Sequence, residues 1–375
     1  MSAMLRTAAR LSLAVTCGRE ATALRKLIQQ QPVTPRQMPR RRERKMLSRA
    51  VIMDTLGGPK VLKVREVEVP PPAAGEVRVR VSHIGVNRPD LLFRVGLYPV
   101  MPTLPGSRLG VEASGVVEAV GPGVANLVVG DQVVVGPVSQ QSKHGVYGEH
   151  VVVPATEVVS AFEGIDARTS AASWMPYLTA YTGMVNSGGL KEGEHVVITA
   201  ASSAAGLAAI DIAHRLGAIP IAVTRSSGKA QRLKDAGAPH VIVGRDDLAG
   251  EVRKLTGGRG ADLVFDATGG PEFPATAEAA ADDGRVVIYG WYDDQPAVLP
   301  TRWPMRIIGH INFTTTQDPV RLGQARDFIA SGVRSGVFTP HIDRVFHGLE
   351  EAAEAHRYAD RGRQFGKILI DLDRD

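Results

Sequence analysis

The stretch HVVITAASSAAGLAAIDIAHRLGAIPIAVTRSSGK, residues 195–229, decides the fold of this chain. Its first five residues are mostly β-branched and predict a buried parallel strand, and residues 219–224 predict a second one. Between them, residues 200–206 have side chains small enough for a sharp turn. Apolar residues then recur at helical spacing up to Gly217, which suits a helix C-cap. The pattern predicts a βαβ unit whose helix N-terminus favours an anion.

The turn of this unit departs from the glycine-rich dinucleotide fingerprint. Ala201, Ser203 and Gly206 occupy its three glycine positions, so only the last of them is glycine. On the turn alone, a βαβ unit that binds no cofactor is an open alternative. The residues that we expect to face the phosphates of a dinucleotide are Ser203, Ala204, Ala205 and Gly206.

The loop after the second strand indicates which dinucleotide this unit would bind. An acidic residue there suits a free ribose 2′-hydroxyl, whereas this chain has Thr224, Arg225, Ser226 and Lys229. Two cations and two hydroxyl groups suit a 2′-phosphate, because charge-assisted hydrogen bonds to phosphate are strong. The loop therefore predicts NADPH as the cofactor, with a solvated basic loop as the alternative.

The charge of the chain is divided unevenly. The formal net charge is +5, yet residues 1–47 carry eleven Lys and Arg against only Glu20 and Glu43. The remainder is mildly acidic, so the composition gives no reason to expect nucleic-acid binding. We expect residues 1–47 to be a disordered basic leader, either a mitochondrial transit peptide or an upstream extension before Met46. The first interpretation predicts the mitochondrial matrix and the second the cytoplasm.

Cysteine and apolar content exclude several other classes of protein. The only cysteine is Cys17, inside the leader, so the rest of the chain can form neither a disulfide nor a Cys-ligated zinc site. No two histidines have the short helical spacing of a metal site, and we expect no metal. No apolar run approaches the ~20 residues of a membrane span.

The segment before the βαβ unit has an all-β pattern. Residues 61–69 and 76–86 alternate apolar and polar side chains, and shorter apolar strands follow at 115–119 and 132–135. Turn-forming prolines and glycines separate these strands. The pattern is typical of a compact, barrel-like domain.

The segment after the βαβ unit returns to alternating strands and helices. Residues 261–266 and 284–290 predict buried strands that end in Asp266 and Gly290, and both residues can face a cofactor. The last strand, at residues 367–372, can return to the β-rich domain.

Five collinear motifs resemble the medium-chain dehydrogenase/reductase superfamily, and within it the zinc-independent quinone oxidoreductase branch. They are GVNRPDLLFRVGLYP (85–99), LGVEASGVVEAVGPGV (109–124), LTAY (178–181), VFDATGG (264–270) and GKILI (366–370). The resemblance spans nearly the whole chain after the leader. It implies an α/β fold in which a GroES-like, β-rich catalytic domain carries an inserted Rossmann domain with a doubly wound parallel sheet. We place the catalytic domain at residues 48–174 and 311–375, and the NADP-binding Rossmann domain at 175–310.

The same resemblance implies chemistry without zinc. Zinc alcohol dehydrogenases of this superfamily have a Cys ligand where this chain has Asn87, a His ligand at Val111, and another Cys near residues 176–178. None of these ligands is present. Hydride delivery without a Lewis acid needs an acceptor that is already electron-poor, such as a quinone or an α,β-unsaturated carbonyl.

The resemblance also implies individual residue roles. Asn87 matches the active-site Asn of the family, whose amide can bond to substrate or to the nicotinamide ribose. Tyr98 matches a Tyr near the substrate and can polarise a carbonyl or donate a proton. Thr179 matches a segment on the nicotinamide side of the cofactor. Arg245 can replace part of the role of a Tyr that quinone reductases carry at Gly244.

Two aromatic residues, Trp174 and Tyr177, can either wall an aromatic acceptor or belong to the core. The function that we expect is hydride transfer from NADPH to a quinone or a similar activated carbonyl. The alternatives are an enoyl or alkenal double-bond reductase and a non-catalytic NADPH-binding protein. We expect a small-molecule substrate and a homodimer, with no nucleic-acid or membrane partner.

Overall fold

A computed structural model describes residues 45–291 and 295–373, which belong to a unit that begins at Lys45. The predicted leader lies outside these residues except for its last three. Met46 pairs with Val69, so the first strand begins inside the segment predicted as leader. No helix in the described ranges has both the length and the apolar character needed to cross a membrane.

The described residues form strands that we number in chain order. These are β1 (Met46–Ile52), β2 (Lys63–Val69), β3 (Glu76–Val86), β4 (Ala113–Val120), β5 (Gln132–Val135), β6 (His150–Pro154), β7 (Val158–Ser160), β8 (His195–Ile198), β9 (Ile219–Thr224), β10 (His240–Val243), β11 (Ala261–Asp266), β12 (Ala280–Ile288), β13 (Met305–Gly309), β14 (Ile342–His347) and β15 (Lys367–Asp371).

The α-helices of the same residues are numbered in the same way. They are α1 (Arg88–Val95), α2 (Gln141–His144), α3 (Ala167–Tyr181), α4 (Ala204–Arg215), α5 (Ala230–Asp235), α6 (Leu248–Leu255), α7 (Phe273–Ala277), α8 (Phe313–Thr316), α9 (Pro319–Arg334) and α10 (Ala352–Asp360). A π-helical turn, Thr182–Ser187, continues α3.

The β-rich part of the chain contains a mostly antiparallel sheet in the order β14-β15-β3-β4-β5-β7. Strand β3 is long enough to pair along one edge with two strands: β6 at its start and β15 at its end. Strands β1 and β2 form a separate antiparallel pair. The last strand therefore returns the chain to the first sheet, next to the segment that leads into α1.

The second sheet has six parallel strands in the order β10-β9-β8-β11-β12-β13. Strand order reverses between β8 and β11, which confirms the doubly wound fold and places a crevice at the carboxyl ends of these two strands. The predicted limits of β9 and β11 agree with the structure. Strand β12 begins earlier than predicted and ends at Ile288, so Gly290 lies in the loop beyond it.

Helix α3 connects the two sheets. It packs against β3, β4 and β15 on one side and against α4 on the other. Pro176 interrupts its hydrogen-bond ladder, because proline has no N–H. The predicted domain boundary between residues 174 and 175 falls inside this helix, and the helix belongs to the packing of both sheets.

Candidate active site

Asn87 lies between β3 and α1, and its side-chain amide is held on three sides. Its Nδ2 donates to the carbonyl of Gly85 at 2.9 Å and to Oε2 of Glu112 at 3.0 Å. Its Oδ1 accepts from Nζ of Lys367 at 2.7 Å. The predicted active-site amide is therefore part of a fixed polar cluster.

Glu112 and Lys367 form an ion pair at the centre of this cluster, and both are buried, Lys367 at 2% exposure. The second oxygen of Glu112, Oε1, accepts from the backbone N–H of Met175 at 2.7 Å. This bond reaches α3 one residue before Pro176, where the helical ladder is interrupted. A buried ion pair is stable only when its remaining polar atoms are hydrogen-bonded, and this one meets that condition.

Asp90, fully buried in α1, fixes the backbone on both sides of the cluster. Its Oδ2 accepts from the N–H of Asn87 at 2.8 Å, and its Oδ1 accepts from the N–H of Val111 at 3.1 Å. Burial raises the pKa of Asp90 to about 7, against the lowering effect of these hydrogen bonds and of Lys367. The carboxyl thus joins the start of α1 to the segment that carries Glu112.

Tyr98 lies on the loop after α1 and is half-buried. No other described residue hydrogen-bonds its hydroxyl, so no internal contact occupies this donor. Burial, with a smaller contribution from the charge of Asp90, raises the pKa of Tyr98 above its ordinary value. The phenol is therefore protonated at neutral pH and able to donate.

The turn after β8 differs in detail from the predicted fingerprint. Ala200 has a φ of +47°, in the left-handed region that favours glycine. The residue with the glycine-like backbone is therefore the one before Ala201, the first glycine position of the fingerprint. Gly206 packs closely against the turn. A Cβ there would lie 2.6 Å from Cα of Ala201. The helix start therefore sits directly against the turn.

The first turn of α4 offers donors to an anion. The hydroxyl of Ser203 accepts from the N–H of Gly206 at 3.1 Å and keeps its own proton for another acceptor. The N–H groups of Ala204 and Ala205 begin the helix and have no acceptor within it. This donor set fits a pyrophosphate.

The loop after β9 carries the predicted 2′-phosphate residues at its surface. Arg225 and Ser226 are exposed, whereas Lys229 is half-buried. Nζ of Lys229 donates to the carbonyl of Gln364 at 2.7 Å and to the hydroxyl of Ser202 at 3.2 Å. Burial lowers the pKa of Lys229. Nζ of Lys229 also lies 3.5 Å from the carbonyl of Gly362, so all three of its N–H groups have acceptors within the protein. No carboxylate among the described residues hydrogen-bonds Arg225 or Lys229, so neither cation has a negative charge in contact.

Arg245 points toward a different group of side chains. Its Nη1 donates to the hydroxyls of Thr268 and Thr276 at 3.1 and 3.2 Å and pairs with Glu272 at 3.1 Å. The contribution of Arg245 to an adenosine phosphate stays a prediction.

Asp266 is the last residue of β11, and Gly290 follows the end of the neighbouring strand β12. The carboxylate of Asp266 accepts from the hydroxyls of Thr199 and Thr268 at 2.7 and 2.6 Å and from the N–H of Gly269 at 2.8 Å. It therefore fixes the turns at the crevice with internal bonds. A Cβ at Gly290 would lie 3.3 Å from a main-chain carbonyl, so the backbone approaches closely there. The cofactor contacts of both residues stay predictions.

Thr179 lies near the end of α3, and its hydroxyl accepts from Nδ2 of Asn312 at 2.9 Å. The side-chain oxygen of Asn312, Oδ1, accepts from the hydroxyl of Thr182 at 3.0 Å. Nε2 of His310 lies within hydrogen-bond distance of both side chains. The side chain of Thr179 is therefore oriented by a residue that follows β13.

Trp174 and Tyr177 belong to the core. Of the two interpretations given for them, the core is confirmed and the wall of an acceptor site is not. Both are almost fully buried. The indole N–H of Trp174 donates to the carbonyl of Gly136 at 2.7 Å, and the Tyr177 hydroxyl donates to Asp211 at 2.5 Å. Neither polar atom is left for a ligand.

Sequence reasoning did not assign the side chains that hold the candidate residues in place. Lys367, Glu112 and Asp90 surround Asn87, and Asn312 orients Thr179. One signal was present, since both Lys367 and Glu112 are charged residues within apolar runs. Their contact was not readable, because they lie 255 positions apart.

A doubly wound sheet joined to a β-rich part that carries a buried polar cluster is an architecture found among dinucleotide-dependent oxidoreductases. Two family models agree with this architecture. The GroES-like domain of alcohol dehydrogenases matches residues 73–163, and the zinc-binding dehydrogenase family matches residues 204–316.

Known proteins narrow the class further. A quinone oxidoreductase of Salmonella typhimurium is 36% identical over 329 residues, which cover 84% of this chain and 97% of the relative. The synaptic vesicle membrane protein VAT-1 homolog of Rattus norvegicus is 32% identical, covering 86% and 83%. A 2-haloacrylate reductase of a Burkholderia species is 27% identical, covering 86% and 98%. A mycobacterial structure in complex with NADPH superposes with a TM-score of 0.78 at 28% identity, covering 86% of this chain and all of that one. The chain belongs to the medium-chain dehydrogenase/reductase superfamily, in its quinone oxidoreductase-like branch.

Proposed function

We propose that the protein transfers a hydride from NADPH to a quinone or a similar activated carbonyl acceptor, without a catalytic metal. The cluster of Asn87, Glu112 and Lys367 carries this proposal. Glu112 accepts hydrogen bonds from Asn87 and from the backbone N–H of Met175, next to the segments in which the resemblance places zinc ligands. At those positions Asn87 offers an amide and Val111 an apolar side chain, and Lys367 adds an ammonium group beside Asn87. This donor set is unsuited to zinc.

The acceptor must then be reactive without a Lewis acid. NADPH, when bound, supplies the hydride, and the protein supplies position and hydrogen bonds. The free hydroxyl of Tyr98 is the donor that we assign to the carbonyl oxygen of the acceptor. A quinone gains aromaticity on reduction, and solvent can protonate the resulting hydroquinone anion, so one oriented donor is enough.

The preference for NADPH is supported by the loop after β9. Arg225 is exposed and Lys229 lies within reach of the phosphate turn through its contact with Ser202. Both cations lack a carboxylate partner in hydrogen-bond contact. A 2′-phosphate would bring the negative charge that both cations lack, whereas a 2′-hydroxyl would not.

Turnover and metal analysis test the proposal together. The purified protein should oxidise NADPH with benzoquinones or naphthoquinones, keep that activity in a chelator, and contain less than stoichiometric zinc by elemental analysis. One zinc per chain with activity lost in chelator would overturn the metal-free chemistry. Reduction of alkenes alone would favour the double-bond reductase, an alternative supported by the similarity to a 2-haloacrylate reductase. NADPH binding without turnover on any acceptor would favour the non-catalytic alternative.

We further propose that the protein is a homodimer. Strand β13 is one of the two edge strands of the parallel sheet within the described residues, β10 being the other, and its backbone can pair with another strand. Trp303 and Ile311, at the two ends of this strand, are both 57% exposed. Light scattering after gel filtration should give twice the chain mass, and a monomer would contradict the proposal.

The location that we propose is the cytoplasm, with the mitochondrial matrix as the alternative if residues 1–47 act as a transit peptide. These residues fused to a fluorescent protein would test the alternative directly. Import into mitochondria would support it, and a diffuse signal would favour the cytoplasm.

A further inference from the structure

The side chain of Asn87 has little hydrogen-bonding capacity left. A carboxamide has two N–H donors and two lone pairs on its oxygen. Both donors point into the protein, to Gly85 and Glu112, and one lone pair accepts from Lys367. What remains for a ligand is a single lone pair on Oδ1.

The chemistry of its neighbours fixes the orientation of this amide. Rotation by 180° would place the NH2 group against the ammonium of Lys367, and the oxygen against the carbonyl of Gly85 and the carboxylate of Glu112. All contacts would then pair donor with donor or acceptor with acceptor. The observed orientation is therefore the only one that satisfies the amide.

The ion pair that imposes this orientation is itself held tightly. Glu112 is fully buried and accepts from Asn87, Lys367 and Met175. A Cβ at Gly85 would lie 2.3 Å from Oε2 of Glu112, so the cluster closes directly over the backbone. The pair therefore has no space in which to release the amide.

We infer that Lys367 and Glu112 are positioning residues that hold Asn87 as a hydrogen-bond acceptor. Of the two roles that the family resemblance allows for this amide, the orientation then favours contact with a hydroxyl of the nicotinamide ribose over contact with the acceptor carbonyl. This inference rests on the proposed function. A quinone or enone carbonyl has no hydrogen to donate, whereas ribose hydroxyls do. Asn87 thus orients the cofactor, and the hydrogen bond to the acceptor is left to Tyr98.

Binding measurements without turnover test the role of Asn87. Asn87→Ala should weaken NADPH roughly 3- to 10-fold, the loss of one hydrogen bond, and should leave 2′,5′-ADP unchanged, because this fragment lacks the nicotinamide ribose. The KM of the acceptor should stay within twofold of the wild-type value. Unchanged NADPH affinity together with a raised acceptor KM would overturn the inference.

A double-mutant cycle tests the positioning role. Removing Lys367 alone would leave Glu112 buried without its cation, so both charges are removed together in Glu112→Gln/Lys367→Met. This variant should weaken NADPH about as much as Asn87→Ala does, and adding Asn87→Ala to it should cost little more. Additive losses, or a lowered melting temperature with unchanged NADPH affinity, would show that the pair is only structural.

The outcomes also separate this inference from the proposed function. A protein that binds NADPH with these mutational effects but reduces no acceptor would retain the inference and lose the function. If 2′,5′-ADP and NADPH bind equally well, and Asn87→Ala weakens the binding of both equally, the inference is wrong and the protein could still be a reductase. Absence of any dinucleotide binding would overturn both.

Discussion

The guanidinium of Arg94 donates a hydrogen bond to Nδ1 of His356 at 3.1 Å, and both residues are buried. Because arginine can only donate, Nδ1 must accept and the imidazole carries its proton on Nε2. Nε2 lies 3.1 Å from the hydroxyl of Tyr147, which in turn lies 3.4 Å from Asp90. A chain of donors therefore runs from Arg94 to the carboxyl that fixes Asn87.

Two titratable members of this chain, His356 and Asp90, should affect stability with opposite signs. Burial, and secondarily the charge of Arg94, lowers the pKa of His356 to about 3, so stability falls as pH falls from about 6.5. Burial raises the pKa of Asp90 to about 7 from 3.8, so its carboxyl adds stability as pH falls from about 7 toward 4. The two effects oppose each other over most of this range.

His356→Gln should expose the contribution of the imidazole. The free energy of unfolding of the variant minus that of the wild type should increase by about 2 kcal/mol as the pH falls from about 8 to about 5. Only the wild type must keep a buried imidazole neutral over this range, so only the wild type loses stability from it. Urea unfolding at both pH values measures this difference. The surface variant His347→Gln controls for the loss of a histidine, and an offset independent of pH would contradict the prediction.

Arg225→Ala/Lys229→Ala should change the cofactor preference. Loss of two charge-assisted contacts should weaken NADPH by roughly 2–4 kcal/mol and NADH much less, because only NADPH carries the 2′-phosphate. Titration with each dinucleotide gives the ratio. Lys234→Ala/Lys254→Ala controls for net charge, because these two lysines are exposed on α5 and α6. Equal losses for both cofactors would show that the loop does not bind the 2′-phosphate.

Tyr98→Phe should separate quinone from alkene chemistry. Reduction of an alkene needs a proton at carbon after hydride transfer, so loss of an acidic phenol should lower kcat by roughly 10²-fold. Reduction of a quinone should fall only several-fold, through lost orientation. Steady-state kinetics with a quinone and an enone measure both, with Tyr358→Phe as the control. No change with either acceptor would remove Tyr98 from the active site.

Ala200→Gly should stabilise the protein. The left-handed backbone at this position costs an alanine about 1 kcal/mol, and glycine avoids this cost. Glycine also loses more conformational entropy on folding, which offsets part of the gain. We expect a net gain of roughly 0.5 kcal/mol in the free energy of unfolding. Ala353→Gly, inside α10, is the matched control and should destabilise. A loss at position 200 would show that another contact holds the alanine there.

The sequence was sufficient for features that depend on neighbouring residues. The apolar runs of β9 and β11 predicted their limits, since buried parallel strands are apolar throughout. The turn after β8 was predicted as a turn, but the left-handed residue in it, Ala200, was not predicted, because alanine does not mark a positive φ as glycine does. Spacing could not show that Lys367 reaches Asn87, since this contact depends on β15 pairing with the end of β3.

Helix α3 has a consequence for how far the two sheets can move against each other. One side of it is packed against the β-rich sheet and the other against α4, and a single peptide N–H, that of Met175, is bonded to the buried ion pair. A displacement of one sheet relative to the other must therefore shift α3 against one of these neighbours, and the bond from Met175 resists that shift on the β-rich side. Thr179 lies one helical turn after Met175, so it is tied through the same helix to the cluster that holds Asn87.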